Sequence, residues 1–127
     1  MNFLQKKPVE IILAILLFVI IFHFCIVLKI IPYNITWGGR LKNDNEMYVF
    51  EAISIFINLF FAVILLMKGN YLAYNFPEKF INFSLWIFIV LFLINTFGNL
   101  IAKTVLEQFF AVLTLVLAFL TWKVVLK

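Results

Sequence analysis

Cysteine is almost missing from this chain of 127 residues: Cys25 stands alone inside an apolar run. One thiol cannot form an internal disulfide, and without a CxxC there is neither a redox pair nor a zinc-binding pair. A lone cysteine in such a setting reads as a small buried hydrophobe. Charge is scarce as well. Only 13% of residues are charged, and the formal net charge of +4 is spread along the chain without a dense basic block. That excludes the electrostatic footprint of nucleic-acid binding. The single histidine, His23, leaves no HxxxH or HExxH spacing to hold a metal.

What fills the chain instead is apolar: 66% of residues are hydrophobic and the mean hydropathy is +1.15. A soluble domain of this length could not hide so much apolar surface, so the composition reads as an integral membrane protein with the lipid bilayer as its first partner. Residues 1–32 have the charged start and apolar middle of a signal peptide. The apolar run is too long for one, and no small-residue cleavage site follows, so a retained first helix is expected. Richness in Ile, Phe, Asn and Lys with little Ala points to an AT-rich bacterial genome and a bacterial inner membrane.

Four segments reach the ~20 residues that a helix needs to cross a bilayer. They run approximately over 9–31, 46–67, 79–102 and 105–123. Helix is the expected conformation because open strands in lipid would leave backbone groups unpaired. Pro8 suits a first turn and Pro32 a stop after Ile31. Asn43 with Glu46, and Thr104 with Glu107, have capping-box spacing. Gly69 reads as a stop, and Pro77 as the restart before the third helix. Short connections predict an all-α, single-domain, four-helix antiparallel bundle. Tyr33, Tyr48, Tyr71, Tyr74 and Trp122 fit aromatic belts at the two membrane interfaces.

Lys6, Lys7, Lys68, Lys79, Lys123 and Lys127 share one side of this arrangement. Lys29, Arg40, Lys42 and Lys103 share the other. The six-to-four bias predicts both termini in the cytoplasm. The polar run YNITWGGRLKNDNE, residues 33–46, then faces outward. It holds two of the four glycines, Trp37 and the sole arginine, Arg40.

Polar side chains at membrane depth are costly and usually face protein. With about 100° per residue, Glu51, Ser54 and Asn58 share one face of the second helix. Asn95, Asn99 and Lys103 share a face of the third. Glu107, Ala111, Thr114, Ala118 and Thr121 form a stripe on the fourth. His23 and Lys29 lie in the outer half of the first. All four helices therefore place polar groups at similar depth beneath the 33–46 loop. Each has a structural reading too: Glu107 as a cap, Lys103 snorkelling to the interface, Asn95 and Asn99 bonding between helices. Glu51 stands too far inside its helix to be a cap and must be protonated or paired.

The expected site is a polar pocket made of Glu51, His23, Asn58, Asn95, Asn99, Lys103 and Glu107, capped by Trp37 and Arg40. Arg40 is expected either to clamp Glu51 or to meet an anionic headgroup. Three functions compete. The first is binding or translocation of a small molecule, lipid or ion, with polar faces shared between copies of a homo-oligomer if a wide path is needed. The second is a membrane enzyme acting on a lipid or isoprenoid, with Glu51 and His23 as acid and base. The third is an accessory or immunity protein whose polar groups only hold helices or a partner. No particular cofactor is implied.

Overall fold

The computed structural model describes residues 3–73 and 76–126; Tyr74 and Lys127, both used in the reading above, lie outside the described residues. The chain forms a four-helix bundle of α1 (Phe3–Val27), α2 (Asp44–Lys68), α3 (Glu78–Leu100) and α4 (Val105–Val125). All four helices are long and apolar enough to cross a membrane. Their outward faces are as greasy as an inward face would be in a soluble bundle: Phe56, Ile94, Phe97 and Val112 are all exposed.

Neighbours run antiparallel. At one end of the α1–α2 pair, Tyr71 donates its phenol proton to Glu10 at 2.7 Å, while at the other end His23 meets Glu51. In the α3–α4 pair the Thr96 and Thr114 hydroxyls meet at 2.8 Å. Phe22 of α1 packs on Phe110 of α4 and closes the ring of helices.

The main core fills the half of the bundle far from the 33–46 loop. There Val9, Ile12 and Leu16 of α1 meet Phe61, Ile64 and Leu65 of α2, with Leu85 and Phe88 of α3 and Leu117 of α4. The helical spacing of each set carries the pattern. A smaller cluster of Ile26, Leu41 and Met47 seats the loop on the other end.

Three helix ends differ from expectation. α1 stops at Val27, not near Ile31, because Lys29 turns into the left-handed region at φ 62°. Lys29 N–H then bonds Ile26 O and Ile30 N–H bonds Cys25 O, a Schellman closure that settles the last carbonyls before Pro32 is reached. α1 also begins before Pro8, which sits inside it and forgoes one backbone bond. α2 ends in the same closure, with Asn70 and not Gly69 in the left-handed position, at φ 64°. Gly69 serves differently: the Tyr71 ring folds against it, 2.9 Å from where a Cβ would stand.

Both capping residues act as their spacing suggests. Asn43 accepts from Glu46 N–H at 2.9 Å and Thr104 from Glu107 N–H at 3.2 Å. The Glu46 carboxylate takes the N–H of Lys42.

Candidate functional site

The 33–46 loop is two short 3-10 turns, Tyr33–Ile35 and Trp37–Gly39, laid across the end of the bundle. Thr36 joins them: its N–H and its hydroxyl both reach Tyr33 O, and its own carbonyl accepts from Gly39 N–H. Gly39 takes φ 72°, where a side chain is strained. Trp37 takes φ 55°, although it is bulky. Such a conformation costs on the order of 1–3 kcal/mol and persists only where the surroundings impose it.

What imposes it is Glu51. This carboxylate is completely buried. Its Oε1 accepts the Trp37 indole N–H at 2.8 Å, and its Oε2 meets Nδ1 of His23. Three elements, α1, the loop and α2, are thus tied at one buried acid. The arrangement is satisfied when the His23 proton sits on Nδ1, which leaves Nε2 as the nitrogen able to engage something else. The Thr104 hydroxyl, in the turn between α3 and α4, also lies 3.4 Å from Ile35 O, a longer contact that competes for its one proton with the Glu107 carboxylate at 2.8 Å.

Beneath the loop lies a cavity of about 520 Å³ walled by all four helices. That volume falls within the roughly 300–1,000 Å³ of small-molecule pockets. His23, Trp37, Asn58, Asn95, Asn99 and Glu107 line it, with Thr36, Ser54 and Thr114, among many aliphatic and aromatic side chains. Glu51 stands behind this wall and acts through His23 and Trp37. Asn58 spends one amide proton on Ser54 O of its own helix. The Thr104 hydroxyl holds one oxygen of Glu107 at 2.8 Å. On the far side the buried rings of Phe88 and Phe92, packed on Phe61, and the buried Leu117 close the floor.

Three of the expected residues do not line the cavity: Glu51, which sits behind its wall, and two cations. Arg40 and Lys103 are exposed and lie outside its lining. The expected Arg40–Glu51 clamp is not formed, because His23 and Trp37 already occupy both carboxylate oxygens. Two other cations of this end, Lys29 and Lys42, border an outer concavity of about 530 Å³ together with Tyr33. There Lys29 pairs with Asp44 at 2.5 Å. That hydrogen bond and charge hold the Lys29 ammonium above its ordinary pKa.

Other roles escaped sequence reading. The polar bond between α3 and α4 is made by Thr96, not by its neighbours Asn95 and Asn99. Whichever hydroxyl accepts in that bond keeps its proton for its own helix, Thr96 for Phe92 O or Thr114 for Phe110 O. Lys68 is buried at the far end and donates to Asn82 at 2.8 Å. Threonine hydroxyls in apolar helices always have their own carbonyls to bond, so type and spacing alone did not single out Thr96. Among the described residues, no three His, Cys, Asp or Glu side chains converge as a metal site would require. Comparison with family models, curated proteins and solved structures finds no match for the chain.

Proposed function

We propose that the protein spans a bacterial cell membrane four times, with both termini in the cytoplasm, and binds a small molecule in the cavity beneath the 33–46 loop. One observation carries this reading: a blind cavity with polar side chains from every helix, capped by a loop held in a strained conformation. A small molecule of matching volume would make van der Waals contacts along this lining.

Binding is favoured over conduction by the floor. Below Asn58 and Thr114 a passenger meets the packed Phe88, Phe92 and Leu117 before it reaches the buried Ser84 and Thr121, and the Thr121 hydroxyl is already spent on Leu117 O. A path through one protomer would need those rings to move. A catalytic reading has one feature in its favour, the His23–Glu51 pair. A carboxylate that fixes one imidazole nitrogen leaves the other poised to give or take a proton in the cavity.

Mass spectrometry of the protein purified in mild detergent tests the proposal. The intact protein and its solvent extract are compared with Glu51→Gln and Asn99→Leu variants whose helix content is unchanged. A discrete molecule retained by the native protein and lost from the folded variants is expected. Identical bulk lipid from all three would remove the binding reading and leave a purely structural role for the buried pair.

A further inference from the structure

If the cavity binds a ligand, its mouth and walls restrict what that ligand is. Apart from Trp37, the exposed members of the lining sit on two helices only: Phe50, Ile53 and Ile57 on α2, Leu91 and Asn95 on α3. The lining residues of α1 and α4 are half-buried or buried, and Phe22 against Phe110 shuts the seam between them, with ring centroids 4.6 Å apart. Among the described residues, the ring contacts and hydrogen bond that join α2 to α3 all lie toward the far end. They are Phe60 and Phe61 on Phe88, Phe61 on Phe92, and Lys68 on Asn82. The loop covers the top. The mouth therefore opens sideways, between two apolar helices, at the depth of the hydrocarbon.

The walls set the chemistry. No Lys or Arg lines the cavity, while the Glu107 carboxylate does, and Glu51 backs His23. With no cation in the wall, a negatively charged head would be buried without a counter-charge. His23, Asn95 and Asn99 supply donors and acceptors at the loop end; Ile53, Ile57, Leu91 and Leu113 supply an apolar surface below. The volume has room for one chain, not two.

We propose that the cavity takes a single-chain membrane amphiphile, entering between α2 and α3, whose polar head carries no negative charge and rests against His23, Asn95 and Asn99. This rests on the cavity being a ligand site.

Bromine quenching of tryptophan tests it. Trp86→Phe/Trp122→Phe, two exposed positions away from the lining, leaves Trp37 as the only indole of the three. This variant is placed in phosphatidylcholine vesicles carrying a dibrominated single-chain alcohol, a dibrominated ionised fatty acid or a dibrominated diacyl phosphatidylcholine. The alcohol should quench Trp37 saturably, at a mole fraction roughly tenfold below that of the fatty acid. The diacyl lipid should quench only in proportion to its content. Narrowing the mouth with Ile57→Phe/Leu91→Phe should slow the onset of quenching by the alcohol. Equal, non-saturating quenching by all three lipids overturns the proposal, as does saturable preference for the fatty acid. If mass spectrometry finds a retained water-soluble molecule while brominated chains give no saturable quenching, the ligand site stands and the amphiphile does not. If neither experiment finds an occupant, both readings fall.

Discussion

The indole N–H of Trp37 meets the carboxylate of Glu51 at 2.8 Å, linking a loop residue in left-handed conformation to an acid with no exposure at all. The bond explains why Trp37 and Gly39 stand close together. The turn must drive a large side chain downward, and Gly39 completes the reversal.

Trp37→Phe should therefore destabilise the protein by about 1–3 kcal/mol, since it leaves a buried carboxylate oxygen without its donor. Thermal unfolding in detergent measures the loss. In a double-mutant cycle with Glu51→Gln the two changes should couple by about 0.5–3 kcal/mol. Strict additivity would show that the contact contributes nothing.

Gly39→Ala places a side chain at φ 72° and should cost about 1–2 kcal/mol. The effect should be local: faster amide exchange over residues 36–40, with the helices unaffected. Unchanged exchange in the loop would refute the strained-cap description.

The Thr96–Thr114 bond should be worth far less than its buried position suggests. Each hydroxyl has a carbonyl of its own helix to fall back on. A cycle of Thr96→Val and Thr114→Val should give a coupling of about 0.6 kcal/mol, the usual scale for such bonds between membrane helices. A coupling of several kcal/mol would contradict this.

On the alkaline side, stability should lose two contributions. The Lys29 pKa is raised from its ordinary 10.5 by Asp44, and the Tyr71 pKa from its ordinary 10.0 by the hydrogen bond to Glu10. A raised pKa means the folded state holds its proton more tightly. Each contribution is complete below the ordinary value and disappears as pH rises through the raised one. Lys29→Met should remove one component of that decline and Tyr71→Phe the other, with neither altering stability's slope near neutral pH. Phenolate absorbance should show Tyr71 ionising later in the folded protein than in the unfolded chain.

Much of the architecture was readable because long apolar helices announce themselves by length, and because capping pairs such as Thr104 and Glu107 are local. Depth was readable too, since rise per residue places His23, Asn58, Asn95, Asn99 and Glu107 at comparable heights without any knowledge of packing. Azimuth was not. Whether Glu51 meets Arg40, His23 or Trp37 depends on how neighbouring helices rotate, and a long loop cation can always choose water. The early end of α1 was hidden for a related reason: a lysine in the left-handed region is rare, and Lys29 adopts it where Asp44 stands in reach.

The grouping of bonds also bears on how the chain is made. Every polar tie of Glu51 lies within the first hairpin, between residues 23 and 51, and the Thr96–Thr114 bond lies within the second. As translation proceeds from the N-terminus, α1, the loop and α2 can lock together before α3 has been synthesised. A nascent protein of this kind shields its buried acid early, and the second hairpin docks onto a partner that is already finished.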